Sequence, residues 1–334
     1  MSTDQTNYIA MTTQNNNKRI EKWDLLRALL IYTFHIPCFL FLDGLLGKRN
    51  VKERRYGHIF SYLIIYLFIK VLTSVVDGFI NQDVSFSLLS DSAVAWYGLC
   101  LFWCSLLTIF LCRFSPKWVL IISIIIACMV GYDSNVGDML VLSKTIVFYP
   151  FYFIGYCLDP EKVAKKFSAP AIRICGAVFL VILAVVYLFG TDSVYFFRAL
   201  LTGRHSYTAF ASVYRMDNIV TFGGLLRLLY YGIAAGGCIS IISLIPNHLP
   251  HSSAIQAVGR RSLEIYILHN PLIHILYDGV SLPSLLITWG IGGWVILPLA
   301  IIITIIFALP FWERPIRAII YPTFLKHMDE ASVD

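Results

Sequence analysis

The sequence predicts an all-α, polytopic integral membrane bundle of about nine spans, and three observations predict it. Of 334 residues, 58% are hydrophobic and only 14% charged, where a soluble domain carries about 25% charged residues. The apolar residues gather in nine runs, 23–46, 59–80, 93–112, 118–132, 140–158, 171–190, 223–245, 262–278 and 284–311. Most approach the ~20 residues that cross a bilayer, and in lipid only a helix satisfies its own backbone within one such segment. The charges then alternate from one connection to the next, as positive-inside topology requires.

Taken in order, the first 17 residues are polar, rich in Asn, Gln and Thr, and read as a disordered cytoplasmic tail. Residues 18–320 form the membrane body and 321–334 a second cytoplasmic tail. Connections 47–58, 113–117, 159–173 and 246–261 are basic, as is the end with Arg314, Arg317 and Lys326; these face the cytoplasm of a cell-membrane protein. Connections 81–92 and 133–139 hold only acids (Asp83, Asp91, Asp133, Asp138), and 279–283 has no charge at all; these face out. The net charge of +6 is thus spread in short clusters between spans. It forms no basic face for nucleic acid.

The first run breaks this order. Lys18, Arg19 and Lys22 precede it, and Lys48, Arg49, Lys52, Arg54 and Arg55 follow it. One span is not basic at both ends, so one further crossing is expected near the beginning. The outer connection 191–222 is also unusual, being long and rich in aromatic and polar residues, with Arg204, His205 and Tyr207 among them. Long connections in compact proteins tend to be functional. This one suits a carbohydrate, with rings for sugar faces and charges for hydroxyls, or else serves as a surface lid.

Ionisable groups inside spans are costly and are functional candidates by default. In the first run these are Asp24, Arg27 and His35. Asp24 and Arg27 are i, i+3 neighbours that either pair on one face or snorkel to the interface; His35 lies about two turns beyond Arg27. The eighth run holds Glu264, Tyr266, His269, Asn270, Pro271 and His274. Pro271 frees the carbonyl of Ile267, Tyr266 and His269 share a face, and Glu264 is spaced to pair with Arg260 or Arg261. His58, His248, His251 and His327 are read as solvated residues of loops or tails. The eight cysteines form no CxxC pair, so neither a metal site nor a disulfide framework is indicated. A polar path with histidines across a bundle fits an enzyme acting across the bilayer, a transporter, or a proton-coupled pump.

Four stretches bring a family into view. They are Trp23-Asp24-Leu25-Leu26-Arg27, Phe34-His35-Ile36-Pro37-Cys38-Phe39, Tyr149-Pro150-Phe151-Tyr152-Phe153-Ile154-Gly155-Tyr156, and Gly259 to His269 with its Ser262-Leu263 and Ile265-Tyr266. In this order they resemble the acyltransferase family 3 membrane proteins, in particular the fucose 4-O-acetylase-like, capsular polysaccharide O-acetyltransferase branch. Asp43-Gly44 stands where that pattern usually has Ser-Gly.

The resemblance implies a ten-helix bundle. It also implies acetyl-CoA as cytoplasmic donor substrate, with no further cofactor or metal. The acceptor is a hydroxyl of an extracytoplasmic cell-surface polysaccharide or its lipid-linked precursor. His35 or His269 would activate that hydroxyl, Arg27 would bind the donor, and Asp24 would orient Arg27. Tyr266 and Asn270, with Arg204, His205 and Tyr207 of the outer connection, would bind substrate.

Members usually carry a histidine eleven residues after the opening Arg/Lys, a position that is Cys38 here. The missing histidine and the missing span coincide, which points either to an internal deletion near residue 31, with impaired activity, or to His35 having taken over as the base. The alternatives are a transporter or flippase for a lipid-linked glycan, or an inactive relic of the acyltransferase.

Overall fold

Helix α1 (His35–Leu46) is followed by a short basic helix α2 (Lys48–Lys52) and then by the 26-residue α3 (Tyr56–Asn81). In this computed structural model the described residues are 35–81, 86, 88–89, 94–133, 139–190, 206–208, 211, 218–244, 261–290 and 295–331, with His35 described by its backbone alone. They form helices and no strand. The chain continues through α4 (Trp96–Leu111), α5 (Pro116–Met129), α6 (Leu142–Cys157), α7 (Pro160–Phe167), α8 (Pro170–Phe189) and α9 (Asn218–Leu244). Then come α10 (Ser262–His274), α11 (Leu282–Thr288), α12 (Ile296–Phe307), α13 (Glu313–Ile320) and α14 (Thr323–Ala331).

The helices begin where local chemistry starts them. Proline stands in the first turn of α5, α7 and α8, where its missing N–H costs nothing and its fixed φ suits the helix. Asp159 caps α7, accepting from the backbone N–H of Glu161 and Lys162; the Lys162 bond above all holds its carboxyl below the usual range.

Four helices are long and apolar enough to cross a membrane: Tyr56–Asn81, Met139–Cys157, Pro170–Phe189 and Val220–Leu244. The pair Pro298–Phe307 and Pro310–Ile320, bent by 47°, would make a fifth, and Ile36–Leu46, Trp96–Leu111 and Pro116–Tyr132 are shorter apolar helices. The described residues thus hold four or five such helices, where the sequence predicts nine spans. One reason is visible in the last run. It does not continue from 284 to 311 but splits into α11 and α12. Trp289-Gly290-Ile291-Gly292-Gly293 falls between them, and Gly290 has φ +66°. Glycine is a poor helix former and takes this left-handed backbone freely.

The outward faces are apolar. Ile174, Val178, Val181, Ile182 and Val185 of α8 and Ile301, Ile302, Ile305 and Ile306 of α12 are all exposed, as a lipid-facing surface requires. With lipid as apolar as the side chains, association rests on close packing and small residues. The tightest example is α1 against α6. A Cβ on Gly44 would overlap the carbonyl of Tyr152, and a Cβ on Gly155 would overlap that of Phe41. Lys48 Nζ reaches Leu158 O at 3.3 Å, so the two helices end at the same basic end of the bundle.

One expectation changes at that end. His58 is not in a loop but in the first turn of α3, its ring edge-on to Tyr321 at 4.9 Å and its Nδ1 3.6 Å from Asp329 Oδ2. The reason is that residues 321–334, read as a tail, contain α14, which seats on the start of α3. Gly57 N donates to Asp329 Oδ1 at 2.7 Å, and a Cβ on Gly57 would overlap the Leu325 carbonyl.

Candidate functional site

Helix α10 runs through Pro271 and then widens into a single π-turn, Ile275–Gly279. Asn270 Nδ2 donates to Thr73 Oγ1 of α3 at 3.2 Å, and Tyr266 OH donates to the backbone carbonyl of Val94 at 2.6 Å. The rings of Tyr266 and His269 lie 6.1 Å apart, so the shared face expected from their spacing is formed. His269 Nδ1 lies 3.0 Å from Ile265 O. A carbonyl only accepts, so Nδ1 bears the hydrogen in this bond. The neutral ring then presents Nε2 as the lone pair, the arrangement a general base needs.

A carboxyl completes this corner. Tyr97 of α4 donates its hydroxyl to Asp43 Oδ2 of α1, and the Tyr97 and Tyr266 rings meet edge-to-face at 5.7 Å. Asp43, Tyr97, Tyr266 and His269 therefore form one string of contacts joining α1, α4 and α10. As whole residues all four are half-buried. Trp96 stacks on Phe148 at 6.2 Å, and Lys144 Nζ sits 4.7 Å from the Trp96 ring centre. Deeper in, Ser105 and Tyr152 share a hydrogen bond of 3.0 Å, and Thr108 and Tyr149 one of 3.2 Å. These hydroxyls give α4 and α6 a polar seam between otherwise apolar faces.

Farther along α10, His274 Nδ1 lies 3.3 Å from Asp77 Oδ1 and 3.2 Å from Asp278 Oδ2. These are close charge contacts without good hydrogen-bond alignment, since Nδ1 has no hydrogen-bond partner.

The Arg261 half of the Glu264 expectation is corrected, and Arg260 lies outside the described residues. Arg261 pairs with Glu313 at 3.5 Å and with the Ala308 carbonyl at 3.0 Å. Glu264 itself turns inward, buried, with Oε2 lacking a hydrogen-bond partner. The α13 carboxylate, close to the start of α10, takes the arginine from its neighbour in sequence.

The comparisons with known proteins bear on this arrangement. The acyltransferase domain family model matches residues 6–313, nearly the whole chain. The protein belongs to the acyltransferase 3 family. No curated protein and no solved structure matches the chain. Membership makes the chain a membrane acyltransferase and sets the chemistry against which the residues are read.

In this acyltransferase, His269, Tyr266 and Asn270 stand together on α10. Asp24, Arg27, Arg204 and His205, with the stretch near residue 31 where a deletion is expected, lie outside the described residues. So does the side chain of His35. Tyr207 is wholly buried, its hydroxyl donating to Cys128 O at 3.0 Å. Cys38, at the position where members usually have histidine, is buried in α1.

Asp43, Lys70, Asp77, Lys144 and Arg227 were not singled out as site candidates. Each is an ionisable residue inside an apolar run, and that test alone would have found all five.

Proposed function

We propose that the protein is an O-acyltransferase that moves an acetyl group from cytoplasmic acetyl-CoA to a hydroxyl of an extracytoplasmic, capsular-type polysaccharide or its lipid-linked precursor. The observation that carries this reading is His269, whose Nδ1–H is held by Ile265 O beside Tyr266, Tyr97 and Asp43. In this scheme Nε2 takes the proton of the acceptor hydroxyl as its oxygen attacks the thioester carbonyl. The C–S bond then breaks, and the coenzyme A thiolate recovers the proton from the imidazolium.

His35 is the second candidate base. Arg27 binds the donor phosphates or the developing oxyanion, and Asp24 orients it. Arg204 and His205 contact the acceptor, while Tyr207 secures the segment that bears them. The protein sits in the cell membrane with its carboxyl terminus in the cytoplasm. Loss of part of the first helices near residue 31 lowers its activity relative to ten-helix members.

The test is proton NMR of surface polysaccharide from a strain lacking its own O-acetylase, complemented with the chain or with His269→Ala or His35→Ala. Acetyl methyl signals should appear with the chain and fall by about 10²–10⁴-fold with His269→Ala at equal membrane abundance. No acetyl signal from the intact chain, with the protein present in the membrane, overturns the activity. Loss with His35→Ala alone moves the base to α1.

A further inference from the structure

We propose that Arg227 is the centre of a phosphate-binding subsite distinct from the His269 corner. Arg227 sits nine residues into α9, roughly 14 Å along the helix axis, and is 1% exposed. Its Nε and Nη1 have no hydrogen-bond partner.

Among the described residues its surroundings are neutral. Its guanidinium lies 5.5 Å from the centre of the Tyr207 ring, with Tyr230, Tyr231 and Cys128 close by. Tyr207 and Tyr231 direct their own hydroxyls elsewhere, to the carbonyls of Cys128 and Val147.

The site is built rather than incidental. Tyr207 is wholly buried, edge-on to Tyr132 at 4.8 Å. It is wedged where a Cβ on either Gly131 or Gly223 would overlap its ring. Two glycines thus make room for the one ring that covers the arginine.

An arginine stays protonated in any protein, and a buried charge persists only when it is paired. A cation–π contact offsets part of that cost, but it leaves Nε and Nη1 unanswered. Among the described residues no carboxylate is paired with it. The complement assigned to it in this proposal is an oxyanion from outside the chain. In a membrane the abundant oxyanion is phosphate, on lipid headgroups and on phosphate-linked sugar carriers, and the guanidinium fork fits it. Tyr231, beside the arginine, donates to the Val147 carbonyl of α6, and Trp96, the neighbour of Tyr97, stacks on Phe148 of the same helix.

The experiment uses the purified full-length chain in a maltoside detergent and reads its unfolding temperature, with no acyl transfer required. One arm titrates inorganic phosphate against sodium chloride at matched ionic strength; the other adds phosphatidylglycerol or, as a phosphate-free control, diglucosyl diacylglycerol. A ligand held only by the native state raises the midpoint by a few degrees. That rise is expected with inorganic phosphate if the source is a soluble ester, or with phosphatidylglycerol alone if it is a lipid. It should vanish in Arg227→Met. No rise in the wild type, or an equal rise in Arg227→Met, overturns the proposal. Should the Met variant fail to fold, Arg227→Lys keeps the charge but loses the fork. Its apparent affinity should be several-fold weaker, and an unchanged affinity there overturns the proposal as well.

Discussion

The hydroxyl that Tyr97 donates to Asp43 Oδ2 is the contact that ties α1 to the histidine corner. Removing it leaves a carboxyl in the bundle without its donor, a loss that typically costs about 1–3 kcal/mol. Tyr97→Phe is therefore expected to lower the unfolding temperature of the purified protein and to reduce acetyl transfer, because α1 and α10 lose their common support. An unchanged unfolding temperature would show that Asp43 is satisfied by other groups.

This residue also shows how far the sequence could be read. Tyr266 and His269 were legible because i, i+3 spacing on a helix fixes a shared face, and Asn270 because a polar side chain deep in an apolar run needs a partner, which proves to be Thr73. Asp43 and Arg227 were present in apolar runs as plainly as His269. Their significance lies in partners 54 residues away for Asp43 and, for Arg227, in a ring from another segment. Spacing within one helix cannot show contacts of that kind. Glu264 marks the same limit from the other side, since three residues from Arg261 is good pairing geometry until Glu313 arrives from a distant helix.

At the level of elements, α1 and α6 approach until backbone meets backbone, and the glycines that permit this are few. Gly44 faces the Tyr152 carbonyl and the Tyr156 amide, and Gly155 faces the Phe41 carbonyl. No rotamer change makes room, because the obstacle is main chain in both cases. Gly44→Val should thus push α1 off α6. Overpacking costs about 1–3 kcal/mol, occasionally more, and the shift would carry Asp43, the preceding residue, away from Tyr97. The expected result is a lower yield of folded protein in the membrane and loss of transfer together. Gly232, where a Cβ would meet nothing, supplies the control, since Gly232→Ala should leave both unchanged. Equal behaviour of the two variants would mean that the α1–α6 contact is dispensable. The helix starts were readable from Pro116, Pro160 and Pro170 at first-turn positions. The break between α11 and α12 was equally present in Gly290, Gly292 and Gly293, but run length alone passed over it.

For the whole molecule, charge and packing give one orientation. The basic connections meet at a single end. There Lys48 reaches the carboxyl end of α6, Arg261 reaches Glu313, and α14 seats on the start of α3. Asp133 follows α5 at the other end, one helix length from Lys117. If positive charge is held in the cytoplasm, a thioester donor approaches from the basic end and a surface glycan from the other. The His269 corner must then be reachable from both. Sidedness is measurable without any assay of transfer. In a variant freed of its native cysteines, Asp133→Cys should react with a membrane-impermeant maleimide in intact cells. Lys165→Cys, on α7, should react only after the membrane is opened. The reverse pattern would put the basic end outside and remove the donor from its supply, and with it the case for cytoplasmic acetyl-CoA. Labelling of both in intact cells would mean that the chain inserts in two orientations. In that case the charge flanking the first run on both sides would be ambiguous in the membrane as well as in the sequence.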